Sequence, residues 1–298
     1  MLRQTWNAYR GWAKLARDMQ VKTQRWNLAA LYCVIAAAIL GAIASVAPHS
    51  WSLWPATAAT IAAALGAFLG RQIVSAGDEA EWIQARGVAE GIKSECFRYA
   101  ARSGAYAVDD ADAAKALAAR TEKIVQQATD KGLVRADDPV PNTGDKREPP
   151  VSLTTDWYKE GRIQDQIDYY RRARERNQKA ADALWWVAFA AGFAAVVFGA
   201  LGAWAQRFAP WIGAMTTIAA SIAAYGLIDR RKYLIASYAA MQSSLEQILG
   251  LDKEAPVNIG ELVTATEDLL DGEHKAWLPQ MLARHQQPQA QQQSQQAA

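Results

Sequence analysis

Few residues in this chain have the types and spacing that chemistry needs. The two cysteines, Cys33 and Cys96, stand far apart, and His49, His274 and His285 are scattered. One cysteine pair at that separation makes neither a disulfide framework nor a metal-ligand spacing. Cys96 has no recognisable base partner and no His accompanies a nucleophile. No catalytic residue is therefore expected, and the chain does not read as an enzyme. Asp109, Asp110 and Asp112 supply carboxylates, but acids at a helix start ordinarily serve the helix dipole. No metal or cofactor is expected. Asn142-Thr143-Gly144-Asp145-Lys146 lacks the first glycine, the preceding strand and the following helix of a phosphate loop.

What remains are charges and hydroxyls beside long apolar runs. Arg171, Arg172, Arg174, Arg176 and Lys179 form a basic run. It suits anionic lipid or a negatively charged signal such as a cyclic nucleotide, and such runs are also expected wherever a helix enters a membrane from the inner face. Inside the apolar runs the polar residues are Tyr32, Cys33, Ser45, Thr57, Thr60, Thr216, Thr217, Ser221 and Tyr225. Thr57, Thr60, Thr216, Thr217 and Ser221 are the candidate pore-lining residues. The competing reading is that these hydroxyls bond to their own helix or a neighbour. Gly41, Gly66, Gly70 and Gly199 stand in small-xxx-small pairs, the spacing that lets helices pack closely in lipid.

The elements that must position these residues follow from the segregation of charge. The chain has 298 residues, 51% hydrophobic and 21% charged, with a formal net charge of +2. Its mean hydropathy of −0.14 hides two nearly charge-free stretches. Trp26 to Gly70 has no Asp, Glu, Lys or Arg, and Ala183 to Ile228 has only Arg207. This excludes a disordered chain, a disulfide-stapled secreted domain and a nucleic-acid binder working by bulk charge; no nucleic acid is expected as a partner. Roughly 20 apolar residues span the hydrocarbon of a bilayer. Leu28–Ala47, Trp51–Gly70, Ala183–Ala205 and Phe208–Ile228 meet that length, and a backbone in lipid must be helical there. The fold class is all-α, an integral membrane protein with four spans in two tight hairpins.

Trp26, Trp185 and Trp186 mark one set of span ends; Trp51, Trp54, Trp204 and Trp211 mark the other. Indoles favour the interface. Basic residues precede spans one and three and follow spans two and four, while the hairpin turns carry only Arg207. The positive-inside rule then places both termini and the middle segment in the cytoplasm of a multi-pass membrane protein. The N-terminus does not read as a secretory signal, because its apolar run starts only at Leu28 and is too long. No ionisable group lies inside a span, which argues against a pump or ion-coupled carrier. Four spans make no wide channel alone, so a pore requires a homo-oligomer.

Outside the spans, helices are expected from Asp78 to about Ser103, from Asp109 or Asp110 to about Lys131, from Asp156 into span three, from Arg230 to Leu249, and after Asn258. Residues 136–155 hold four prolines in Ala136–Pro150 and read as a linker between a first module, 1–135, and a second, 156–285. Residues 286–298 read as a disordered Gln-rich tail. Each half repeats a layout: a basic entry helix, a hairpin through the membrane, and a return helix.

Arg162, Gln166, Tyr170, Arg174 and Asn177 before span three, Glu246 after span four, and Glu267, Glu273 and Trp277 near the end carry a resemblance. They resemble the SLATT family, the SMODS- and SLOG-associating two-transmembrane effector domains of bacteria. Trp82, Arg86, Glu90, Lys93 and Glu95 make the first half similar to another subgroup. The resemblance implies an effector of nucleotide-dependent immunity in the bacterial inner membrane, acting by forming pores or otherwise breaching the membrane when an associated sensor fires. Nothing in the sequence reads as a fused sensor domain, so the expected trigger is a separate sensor protein or a nucleotide signal. Glu90, Glu246, Glu267 and Glu273 are expected to pair with Arg or Lys across the helices outside the membrane. The alternative function is a non-conducting membrane scaffold that recruits a cytoplasmic partner.

Overall fold

The computed structural model describes residues 1–74, 77–130, 140, 147–228 and 231–273, with backbone alone for 71–74, 77–80, 227 and 228. The expected Gln-rich tail and Trp277 lie outside the described residues. Among the described residues the regular structure is helix, with no strand.

A first helix, α1 (Leu2–Val46), runs unbroken for 45 residues, about 68 Å at 1.5 Å per residue. That is twice a hydrocarbon core, so only its second part is a span. Pro48 ends it, and the N–H groups of Trp51 and Ser52 turn back to the Pro48 carbonyl at 2.8 and 3.0 Å. Helix α2 (His49–Val74) returns. After α3 (Gly77–Ala100) the chain reverses at Arg102 and Gly104, whose φ values of 54° and 57° are left-handed, a region that favours glycine. The helix thus stops a turn short of the expected Ser103. The Asp109 carboxylate accepts the Asp112 N–H and caps α4 (Asp110–Thr129), as an N-terminal acid should.

The later part begins with a short α5 (Thr155–Tyr158), capped by the Thr154 hydroxyl. A π turn over Lys159–Gln164 joins it to α6 (Asp165–Gly202). Span three ends at Gly202, short of the expected Ala205, because the Trp204 and Ala205 N–H groups both reach back to the Leu201 carbonyl. A 3-10 turn over Gln206–Phe208 leads into α7 (Ala209–Ile228), with Pro210 in its first turn. Phe198 stacks on Phe208 and on Trp211 at ring distances of 6.2 and 5.8 Å and closes this hairpin tip. Helix α8 (Arg231–Glu254) follows, then α9 over 259–273, where Asn258 Oδ1 accepts the Glu261 N–H at 2.9 Å.

Among the described residues four helices are long and apolar enough to cross a membrane, and the chain is a four-span, all-α membrane protein. The described residues form two compact units that cut across the two halves of the sequence. One, the head, draws on residues within 1–21, 76–170 and 240–298; the other, the membrane unit, holds 22–75 and 171–239. In the membrane unit a small core of Ala191, Ile218 and Ile222 packs against Ile35, Ala38 and Ile39 of α1 and against Leu184, Ala188, Met215 and Ala219. Many large apolar span side chains are exposed, including Ile61, Leu65, Phe68, Phe193 and Val196, as lipid allows and water would not.

Candidate functional site

In the head, α9 is bound to α3 and to the π turn by a set of charged side chains drawn from both halves of the chain. Arg162 stands in the π turn and donates from Nε and Nη2 to Oε1 and Oε2 of Glu267, each at 2.9 Å. The Tyr158 hydroxyl donates to the same carboxylate at 2.9 Å. Arg162 is 2% exposed and Glu267 0%. The guanidinium lies over the Phe97 ring at 4.7 Å. Phe97 in turn meets Trp6 and Tyr158 edge-on at 6.0 and 5.7 Å. Two charges taken from water are costly, and only bidentate geometry with further hydrogen bonds offsets this. Burial works against the Arg162 charge, but the Glu267 carboxylate outweighs it and holds the guanidinium above its ordinary range. Burial, reinforced by Glu267, pushes the Tyr158 hydroxyl well above its ordinary range.

Gly161 explains part of the local geometry. A Cβ there would meet the Trp157 ring at 3.3 Å, so the glycine lets the indole lie against the π turn. Lys93 is a second buried cation. Burial first, and Arg162 second, lower its ammonium to about 8, against the pull of Glu90. Lys93 Nζ stands 3.7 Å from Glu90 and 5.6 Å from the centre of the Tyr9 ring.

Further ties join α3 to α9. Arg98 donates to Asp268 and Asp271 at 2.8 and 2.9 Å. The Ser103 hydroxyl donates to the Gly260 carbonyl at 3.0 Å and meets the Thr264 hydroxyl. Glu95 accepts from the Tyr106 hydroxyl and lies 3.5 Å from Arg120. Lys159 pairs with Asp252 of α8. Burial raises the Cys96 thiol far above its usual range, so it is a structural and not a reactive cysteine. Asp110 pairs with Arg102 and Asp112 with Lys115. Among the described residues no three His, Cys, Asp or Glu side chains gather where a metal ion could be held.

The motif residues singled out from the sequence fall around this cluster. Trp82 and Arg86 are half-buried on α3, and Arg86 Nη2 donates to Tyr169 at 3.4 Å. Tyr170 is buried, and burial followed by Glu273 raises its hydroxyl above the ordinary range. Glu267 meets Arg162 across the head. Glu90 stands beside Lys93 on its own helix, and Glu246, exposed on α8, accepts from Gln242 at 2.9 Å. Asn177 turns back to the Ala173 carbonyl at 2.8 Å. Arg174 is half-buried, while Arg171, Arg172, Arg176 and Lys179 are exposed. The sequence reading passed over Trp6, Tyr158 and Arg98. For Trp6 the signal was present: Leu2, Trp6, Tyr9 and Ala16, all buried, recur at helical spacing.

In the membrane unit four of the five candidate hydroxyls bond to their own helices. Thr57 donates to Leu53 O at 2.9 Å and Thr60 to Ala56 O at 3.0 Å. Thr216 donates to Ile212 O and Ser221 to Thr217 O, at 2.9 and 2.7 Å. Thr57, Thr60, Thr216 and Thr217 are exposed on the outside of the unit. Thr217 also borders a groove of about 630 Å³, whose other lining residues include Gly41, Ala42, Gly66, Gly213 and Ala214. Of the four packing glycines only Gly66 stands at a close approach, where a Cβ would lie 3.3 Å from Cys33 Cβ and from Val34 Cγ2. Gly41 and Gly70 have open space, and Gly199 has ordinary contact with Ile212 at 4.0 Å.

Two family models match the chain in tandem. Residues 7–148 match SMODS and SLOG-associating 2TM effector domain 3, and residues 158–277 match SMODS and SLOG-associating 2TM effector domain 1. No curated protein and no solved structure matches it.

Proposed function

The chain belongs to the SMODS- and SLOG-associating 2TM effector (SLATT) family, with two distinct domains of that family in tandem, and from that premise we propose that it is a pore-forming or membrane-disrupting effector of a bacterial conflict system. It acts in the inner membrane with both termini in the cytoplasm. A separate sensor protein or a nucleotide signal triggers it. The observation that carries this reading is the placement of Thr57, Thr60, Thr216 and Thr217 on the outside of the membrane unit. If these weakly polar faces line a water path, the path is completed by further copies of the chain. Spans with no ionisable group suit a pore that opens by assembly and wetting.

The test is induction in cells under the triggering condition, with membrane potential and dye entry recorded. Loss of potential with dye entry is expected; full polarisation rejects the reading. A second reading, a non-conducting scaffold, draws support from the head, whose buried ion-pair core is a rigid platform for a partner. Under it, a phenotype accompanies full polarisation.

A further inference from the structure

The end of α6 that enters the membrane combines two features. Trp185, Trp186 and Phe189 form an exposed aromatic cluster: Trp185 stacks on Phe189 at 5.4 Å, and Trp186 meets both rings edge-on at 4.7 and 5.9 Å. Such rings settle at the headgroup level of a bilayer. Earlier on the same helix stand Arg172, Arg176 and Lys179, all exposed. At 100° per residue these three cations and Trp186 fall within an arc of about 80°, so one face carries them all. Along the axis Lys179 lies about 10 Å and Arg176 about 15 Å from Trp186. Long basic side chains lean toward the interface, which brings Lys179 and Arg176 to headgroup depth and Arg172 to within about a Debye length of it.

A second helix converges on the same level. Ile35, Ala38 and Ile39 of α1 pack in the core with Leu184 and Ala188 of α6. Arg25, exposed and followed at once by the exposed Trp26, lies about 15 Å before Ile35 on α1. The opposite span ends are different. Trp51, Trp54 and Trp204 are exposed there, but the one cation in the two turns is Arg207, whose guanidinium lies over Phe208 at 5.2 Å.

We propose that Arg172, Arg176 and Lys179 of α6, with Arg25 of α1, bind the phosphate groups of anionic phospholipids, and that the protein holds such lipid at this end of its spans alone. The occupant is lipid and not a soluble phosphate because Lys179 and Arg176 stand about 10 and 15 Å along the helix, and on the same face, from rings that mark the headgroup layer. The inference is independent of whether the protein conducts.

The test uses the full chain, purified in detergent and stripped of lipid, then titrated with dioleoyl-phosphatidylglycerol or dioleoyl-phosphatidylcholine. Bound lipid is counted by native mass spectrometry and the unfolding temperature is read in parallel. Phosphatidylglycerol should be retained and should raise the unfolding temperature, less so at high salt, while phosphatidylcholine does neither. Each cation replaced by Gln should weaken retention about fivefold, and Arg172→Gln, Arg176→Gln and Lys179→Gln together about a hundredfold. Arg3→Gln, an exposed position outside the membrane unit, should change nothing. The single variants and Arg176→Lys, which keeps the charge and should keep the lipid, decide the matter even if the triple variant fails to fold. Equal retention of both lipids, or single variants that retain phosphatidylglycerol like the parent, overturns the proposal. Displacement of the lipid by millimolar inorganic phosphate at constant ionic strength reassigns the stripe to a soluble anion and overturns it equally.

Discussion

Arg162 and Glu267, 105 residues apart in the chain, face each other through two hydrogen bonds of 2.9 Å in a part of the head that water does not reach. Removing one member alone leaves a buried charge without its counter-ion, which costs about 3–5 kcal/mol. Glu267→Ala should therefore lower the denaturant midpoint sharply, read by tryptophan fluorescence of the full chain in detergent. Arg162→Met with Glu267→Leu removes both charges and should recover most of that loss. If the double variant is as unstable as the single one, the pair's worth lies in its hydrogen bonds to Tyr158 and not in charge balance.

The same pair predicts that the two tandem domains do not fold apart. Trp6 and Phe97 come from the first part of the chain, and Tyr158, Arg162 and Glu267 from the second, yet they pack as one aromatic and ionic core. A chain cut to residues 1–150 should expose Phe97 and the Arg98 carboxylate partners' site, and should be degraded or aggregate on expression. Co-expressed with 151–298 it should be recovered as a complex that survives purification. Stable, monodisperse accumulation of either half alone would contradict a shared core.

The membrane half of this architecture was legible because lipid imposes a simple rule: a span is a long run without charge. Pro48 and the Gln206-Arg207 break were visible as hairpin turns for the same local reason, and Asp109 and Asn258 as caps. The head was less legible because its organisation is long-range. Lys93 and Arg162 stood out only through the family resemblance, and that Arg162 is the Arg which Glu267 pairs with, 105 residues away, depends on packing that no local pattern displays. The π turn over Lys159–Gln164 has no periodic signature, and the division into head and membrane unit cuts across the repeat that the sequence displays. The candidate pore-lining threonines were identifiable as polar residues in spans, but which way they face depends on packing that no single helix reveals.

Lys93 sets a pH dependence. Its ammonium is lowered to about 8 in the folded protein from an ordinary 10.5, so between those values the unfolded chain binds the extra proton. Stability should then rise as pH climbs from about 8 toward 10. Below pH 8 both states are protonated and the burial penalty is constant, of order 3 kcal/mol. Cys96 acts in the opposite sense from about pH 9, and Tyr106, Tyr158 and Tyr170 from about pH 10, since burial raises all four groups in the folded state and stability falls once their unfolded counterparts ionise. Unfolding midpoints measured from pH 7 to 9 should rise, and Lys93→Met should abolish the rise while stabilising the protein at pH 7. A flat profile in the parent chain would mean that Lys93 keeps its proton through that range.

Gly66 provides the sharpest test of packing within the membrane unit. A Cβ at this position meets Cys33 Cβ and Val34 Cγ2 at 3.3 Å, whereas at Gly41 and Gly70 it meets nothing within 4 Å. Helices in lipid associate through close backbone approach, with no hydrophobic drive to compensate for lost contact. Gly66→Leu forces α1 and α2 apart at the first hairpin and should destabilise by about 1–3 kcal/mol, the range for overpacked sites. Gly66→Ala should fall between this and the parent, because Cys33 and Val34 must yield by only a few tenths of an ångström. Gly41→Ala and Gly70→Ala should leave the unfolding temperature in detergent within a degree or two of the parent, being changes into open space. If all three glycines respond alike, the hairpin is not held at Gly66, and its two helices are kept together by their turn and by contacts elsewhere.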